Sequence, residues 1–362
     1  MVNESGQSGR YEEAAGHADW CRVRQYEELE RWVGLERQHA NAHRRQAFAP
    51  DFSSAETYAA SLTPYRRSLR RMLGRPLADL PNERTPPVAE CEWVARDDLA
   101  DIYRLTVHAD ERLSLYALLF MPQGERPLPL VLVQHGGSGT PELCAGFYGP
   151  SNYHDMVRRF LRRGAAVFAP QLHLWTAERG PDNKRPLFDN RLKQLGGSIA
   201  AIELYKLMRG LDYVQHRDDI DGDRIAMAGL SYGGFYTLFA AALDERIKAV
   251  YSSCFFNNRF VYDRSDWIWF DSGRLFLDAE VCGLICPRPL YLEAGDEDEL
   301  FDPRHAADEY GQIRACYDRL LLAERLRYQV FRGKHEFDKN DDGVDFVCRS
   351  LGLRHLGPPQ ST

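Results

Sequence analysis

The sequence predicts an α/β protein: a mostly parallel, doubly wound sheet with antiparallel strands at its N-terminal side and a helical segment ahead of it. Three observations carry this expectation. Short continuous apolar runs, the first at 128–133, alternate with longer helical patterns as far as residue 351, the order expected of strands covered on both faces by crossover helices. Residues 89–120 hold strand-like stretches, two of them with apolar and polar side chains in alternation, as antiparallel strands do. Finally, Gly229-Leu230-Ser231-Tyr232-Gly233 stands between an apolar strand at 224–228 and a small-residue helix at 234–243, the context of a strand-to-helix corner.

In chain order, residues 1–17 are polar and rich in Gly and Ser, and read as a flexible tail. Residues 18–84 form an N-terminal helical segment, expected to be a docked cap that also takes part in self-association. Within it Tyr26, Leu29, Trp32, Val33 and Leu35 recur near a 3.6-residue period. Further helices are expected at 54–60 and 64–73, with Gly74 ending the last. The spacing of Arg66, Arg67, Arg70 and Arg71 predicts the solvated side of a helix. Pro76, Pro81, Pro86 and Pro87 mark a linker. Residues 85–356 form the α/β domain. Strands are expected at 89–94, 102–107, 113–120, 128–133 and 165–169, and a helix at 153–163. A long helix follows at 199–215, with Ser198 as its N-cap. After the serine corner come strands at 247–251, 290–294 and 328–331 and helices at 304–322 and 342–351. Residues 357–362 read as a second tail.

Composition narrows the function. The chain has 362 residues, 44% hydrophobic and 12% aromatic, enough for one large core and an appendage. Its net charge of −7 is spread along the sequence, so no nucleic-acid partner is expected. No basic and apolar leader opens the chain and no run of about 18 apolar residues occurs, so neither export nor membrane insertion is expected. The eight cysteines are scattered, and Cys282 and Cys286 lack zinc-site spacing. They read as reduced thiols of a cytoplasmic protein. Neither a metal nor an organic cofactor is expected.

The chemistry centres on Ser231. The corner is so tight that positions 229 and 233 must lack a Cβ, and the serine hydroxyl is pushed out of the fold at the N-terminus of the next helix. A serine needs a base, and the base an orienting acid. His335, in the last strand-to-helix loop, is the candidate base; His305 and His355 are weaker. The acid candidates follow the strand at 290–294. Asp298 is favoured by its reach over Asp296, which could bond amides of its own turn; Asp302, before Pro303, suits a capping role. The amides of Tyr232 and of Gly137, in the loop Gln134-His135-Gly136-Gly137-Ser138-Gly139, are the candidate oxyanion donors. Trp267 and Trp269, in an insertion at 257–270, either wall a substrate pocket or pack a lid. Glu142, Tyr148, His173 and Trp175 fall on loops at the ligand-binding edge of such sheets.

Together these residues resemble the α/β-hydrolase superfamily, in particular its dienelactone-hydrolase and acetyl-xylan-esterase-like branch. The resemblance spans about residues 90–352. It is strongest at His135-Gly136-Gly137, at Asp221–Ile225 leading into Gly229–Gly234, at Ala242–Ala249, at Pro287–Leu290 and at Gly333–Phe337. It implies that residues 85–356 are a catalytic domain with Ser231 as nucleophile, Asp298 as acid and His335 as base. The expected activity is hydrolysis of a small acetyl-type carboxylic ester, of a carbohydrate or another small molecule. Dienelactone hydrolases themselves use a cysteine, whereas this chain has Ser231. No secretion signal is read at the start of the sequence, a departure from many polysaccharide esterases, so polymeric xylan is not the expected substrate. Two alternatives stand beside this reading: a serine peptidase of the prolyl-oligopeptidase type, and a non-catalytic binding protein on a hydrolase scaffold.

Overall fold

The computed structural model describes residues 11–174 and 184–353. Residues 1–10, the expected tail at 357–362, Trp175 and His355 lie outside the described residues. Nine strands form one sheet: β1 (Ala89–Arg96), β2 (Ala100–His108), β3 (Ser114–Pro122), β4 (Leu128–Gln134), β5 (Ala166–Pro170), β6 (Ile220–Leu230), β7 (Ile247–Ser253), β8 (Leu290–Gly295) and β9 (Leu326–Phe331). Their spatial order is β1-β2-β3-β5-β4-β6-β7-β8-β9. β1, β2 and β3 pair antiparallel, as does β3 with β5; every pair from β5 to β9 is parallel.

β4 shows why the apolar runs are continuous. All seven of its residues are buried, but they serve two cores, because successive side chains leave opposite faces of a strand. Leu128, Leu130 and Leu132 join the core on one face, and Val131 and Val133 join the core on the other.

The helices are α1 (Asp19–Ala47), α2 (Ala55–Ser61), α3 (Thr63–Leu73), α4 (Pro141–Cys144), α5 (Met156–Leu161), α6 (Arg185–Gln194), α7 (Ile199–Gln215), α8 (Tyr232–Leu243), α9 (Ser272–Leu275), α10 (Asp278–Gly283), α11 (Ala307–Arg319) and α12 (Asp342–Ser350). α7 has the expected bounds, and the Ser198 side chain accepts from the Ala201 amide as its cap. α4, α6, α9 and α10 were not expected. Each is too short or too polar to show a helical period.

The N-terminal helices correct one expectation. Arg66 and Arg70 turn inward rather than lining a solvated face: Arg66 donates to the carbonyls of Ala242 (3.1 Å) and Leu284 (3.2 Å), and Arg70 to that of Leu243 (3.3 Å). The last carbonyls of α8 have no acceptor role inside their own helix, and they form its negative end. Arg67 and Arg71 remain exposed as expected. In α1, the periodic residues form the expected helix, with Tyr26, Leu29, Trp32, Val33 and Leu35 exposed. Only Ala40 and Arg44 of its 29 residues are buried. Arg44 is paired with Glu280 at 2.8 Å, and Tyr58 of α2 donates to the Gly283 carbonyl at 2.9 Å. α3 therefore sits at the C-terminal end of α8, while Ser231 precedes its N-terminal end.

Candidate active site

Ser231 is the corner between β6 and α8, with φ 61° and ψ −122°. This region is costly for a residue with a side chain, by about 1–3 kcal/mol. Its amide donates to the Ser253 carbonyl at 2.9 Å, which ties the corner to the end of β7. The flanking glycines are required by close backbone. A Cβ at Gly229 would lie 2.3 Å from the Gly233 carbonyl oxygen, and one at Gly233 only 2.0 Å from that of Gln134 at the end of β4.

The loop after β4 lies against this corner. A Cβ on Gly136 would meet the Leu230 carbonyl at 2.9 Å and Ser231 Cβ at 3.0 Å. The Gly136 amide is engaged, donating to the Tyr153 hydroxyl at 2.8 Å. Gly137 lies beside the Tyr232 ring, its absent Cβ 3.7 Å from Cδ2. Tyr232 opens α8, so its amide belongs to the first turn, which has no acceptors within the helix. His135 shapes the loop from beneath. Burial pushes its imidazole down to about 4, so it is neutral. Its Nδ1–H donates to the Gly136 carbonyl at 2.8 Å, and Nε2 accepts from the Leu172 amide at 2.9 Å.

His335 and Asp298 meet with 2.9 Å between Nδ1 and Oδ2. The second carboxylate oxygen accepts from the amides of Leu300 (2.8 Å) and Phe301 (3.0 Å). Burial alone would raise this carboxyl, but His335 and those amides outweigh it and hold Asp298 below the usual carboxylate range. Asp296 takes a different part from the one expected: it accepts from the Gly333 amide at 2.9 Å, bracing the histidine loop rather than its own turn. Asp302 caps the turn at 303–306, accepting from the Arg304 amide at 2.9 Å.

The histidine loop is fixed from three sides. Asn152 donates to the His335 carbonyl (3.3 Å) and accepts from the Phe337 amide (2.8 Å). His154 pairs with Glu336 at 2.6 Å. The Asp338 amide donates to Glu293, a buried carboxyl at the end of β8, at 3.1 Å. Ser231, Asp298 and His335 thus follow β6, β8 and β9 at the carboxyl ends of the parallel strands.

Of the expected substrate contacts, Trp267 borders the corner. Its ring lies 4.9 Å from that of Tyr232 and 5.7 Å from that of Phe301, and Phe301 stacks on His335 at 5.7 Å. An aromatic arc therefore runs from the serine's neighbour to the histidine. The others are placed elsewhere. Trp269 packs on Phe235 and Phe239. Glu142 accepts from the Tyr116 hydroxyl. The His173 amide donates to Glu203 at 2.6 Å, and its ring is partly exposed. Tyr148 is exposed. These side chains sit on the right loops, but sequence position does not say which way a loop residue faces.

A buried network behind Tyr232 was missed. The Tyr232 hydroxyl donates to Asp266 at 2.9 Å, and Arg185 bonds the same carboxylate oxygen at 2.6 Å and Glu203 at 2.9 Å. The Arg185 guanidinium lies 5.2 Å from the Tyr232 ring centre. Burial would raise Glu203, but Arg185 holds it far below the ordinary value. No motif marks these residues, which are single charges inside helical or loop sequence.

Among the described residues one group of potential metal ligands is close enough to share an ion: Cys254, Asp298 and His335, within 4.8 Å of one another. Two of the three are the histidine–carboxylate pair itself. Burial pushes the Cys254 thiol up, and it donates to the Glu336 carbonyl at 3.3 Å; a protonated thiol is a poor ligand. All eight cysteines are free.

The strand order, the corner and the loops after β8 and β9 define the class: this is an α/β-hydrolase fold with a serine at its sharp strand-to-helix turn. Residues 194–278, which span that turn, match the family model described as the prolyl oligopeptidase family. Over 252 residues the chain is 29% identical to the "Putative hydrolase YtaP" of Bacillus subtilis (strain 168), covering 65% of this chain and 82% of that one. A glucuronoyl esterase from Solibacter usitatus superposes with a TM-score of 0.64 at 15% identity, covering 83% of this chain and 94% of that one. An acetyl xylan esterase from Paenibacillus sp. R4 does so with 0.55 at 17%, covering 85% and 97%. The expected α/β-hydrolase fold agrees with these comparisons. Among the described residues no helix is long and apolar enough to cross a membrane.

Proposed function

We propose that this chain is a serine esterase acting on a small carboxylic ester through an acyl-enzyme, with Ser231 as nucleophile, His335 as base and Asp298 as the acid that orients it. The single observation carrying this reading is the strained Ser231 at the same sheet edge as the His335–Asp298 pair. His335 takes the hydroxyl proton as Ser231 Oγ attacks the ester carbonyl. The amides of Tyr232 and Gly137 receive the oxyanion, and the alcohol leaves with the proton from His335. Water then attacks the acyl-enzyme by the reverse route. Asp298 stays ionised and keeps the His335 Nδ1–H directed toward itself, so that Nε2 is the basic atom.

Fold likeness to carbohydrate esterases favours an acetyl-type or sugar-linked ester. The test is labelling of the folded protein with a fluorophosphonate, together with turnover of p-nitrophenyl acetate. Labelling at Ser231 with turnover lost in Ser231→Ala is expected; an unlabelled Ser231 removes the reading. The match to the prolyl oligopeptidase family favours a second reading, cleavage of short peptide amides. Side-by-side hydrolysis of an acetyl ester and a proline-containing dipeptide amide separates the two.

A further inference from the structure

α1 is anchored at one end only. Ala40 and Arg44 are its buried residues, whereas every residue from 22 to 35 is exposed. That stretch is not a polar arm: Val23, Tyr26, Leu29, Trp32, Val33 and Leu35 lie on it, with Trp20 just ahead. α2 and α3, by contrast, bury Tyr58, Leu69 and Leu73. A run of helix held by nothing beyond itself is marginal in water at this length, and apolar side chains gathered on one exposed element mark an interaction surface.

The order of side chains identifies the occupant. Val23, Tyr26, Leu29 and Val33 follow one another at three- and four-residue steps, so they share one face. Arg22 and Glu30 stand on that face too, each four residues from Tyr26. About Tyr26 the face is its own complement: Val23 is mirrored by Leu29, and the cation Arg22 by the anion Glu30, with Trp20 and Trp32 mirrored at the flanks. A two-fold contact sets residue i against j and j against i. In an antiparallel helix pair centred on Tyr26 it puts Val23 on Leu29 and Arg22 beside Glu30, each twice. Within one helix Arg22 and Glu30 cannot meet, because eight residues span about 12 Å. In the single chain Arg22 has only its exposed pairing with Asp19 (2.5 Å), a weak kind of contact. A lipid surface fits less well. Helices that lie on membranes carry a basic polar face, and residues 19–37 hold five carboxylates against four arginines. We propose that α1 is a self-association surface: two copies of this chain join by antiparallel pairing of residues 19–33 about a two-fold axis at Tyr26.

The full chain is measured by size-exclusion chromatography with light scattering at about 100 μM, a readout that does not involve turnover. A dimer is expected. Arg22→Glu alone and Glu30→Arg alone should each weaken it by about tenfold or more, and the two together should restore it. Tyr26→Glu, which sets two carboxylates face to face on the axis, should leave a monomer. All three positions are exposed, so the circular dichroism spectrum of each variant should match the parent's. A monomeric parent overturns the proposal, and so does a monomer that pellets with phosphatidylglycerol vesicles, which would make the face a lipid contact. A dimer unmoved by both Arg22→Glu and Tyr26→Glu overturns it by placing the contact on another face. A dimer that the double reversal fails to restore overturns the antiparallel pairing.

Discussion

Gly136 and Ser231 lie against one another so closely that a single added carbon at 136 would stand 3.0 Å from the serine's Cβ. Two segments almost a hundred residues apart in sequence thus share one contact, and neither can change without moving the other. Gly136→Ala is expected to shift the loop that carries the Gly137 amide while leaving the sheet intact. The measurable outcome is a fall in kcat of about a hundredfold or more, the scale of losing one oxyanion donor, with the circular dichroism spectrum preserved. Wild-type kcat in this variant would show that the loop takes no part in turnover.

The backbone at Ser231 supplies an independent check. Ser231→Gly removes the side chain from a φ of 61° and should raise stability by about 1–3 kcal/mol while abolishing turnover. Ser231→Ala should abolish turnover without that gain, because alanine meets the same backbone restriction. Chemical denaturation of the two variants side by side reads the difference.

The two aspartates after β8 are expected to separate cleanly. Asp298→Asn should lower kcat/KM by roughly 10³–10⁴ by presenting His335 with the wrong hydrogen-bonding partner. Asp296→Asn keeps an acceptor for the Gly333 amide and should retain most of the activity. The reverse pattern in steady-state kinetics would reassign the acid.

Glu293 sets a pH dependence of stability. Burial pushes its carboxyl up to about 7 from an ordinary 4.5. Between those values the unfolded chain releases a proton that the folded chain keeps, so folding weakens as pH rises through that window. Glu293→Gln retains an acceptor for the Asp338 amide and removes the titration. Its stability relative to the parent should therefore improve between pH 5 and pH 8, by up to about 1.4 kcal/mol per pH unit within the window. Urea denaturation at the two pH values measures this, and an unchanged difference would place the ionisation elsewhere.

Much of this was legible in the residues. The strands of the parallel sheet announce themselves as apolar runs because both faces are covered, and the Gly–x–Ser–x–Gly corner is legible because close backbone permits no other residue at its ends. Chain order located His335, and reach beyond the strand at 290–294 favoured Asp298 over Asp296. What stayed hidden depends on facing directions across long sequence separations. Arg66 and Arg70 look like any solvated helix face until the carbonyls of Ala242 and Leu243 are set beside them. Trp269 and Glu142 lie on the expected segments, yet packing turns one toward Phe235 and the other toward Tyr116. The Tyr232–Asp266–Arg185–Glu203 network joins four residues from separate elements, and no spacing rule connects them.

The guanidinium groups of Arg66 and Arg70 close the far end of the same helix that begins one residue past Ser231. Removal of residues 1–84 would follow the boundary drawn by composition and take the Arg66 and Arg70 donors from the Ala242 and Leu243 carbonyls, leaving Arg288 on the Ala241 and Asp244 carbonyls at that terminus. The appendage thus supplies part of the capping of the helix whose opposite end carries the serine, and a shortened chain would lose two of the cations held there.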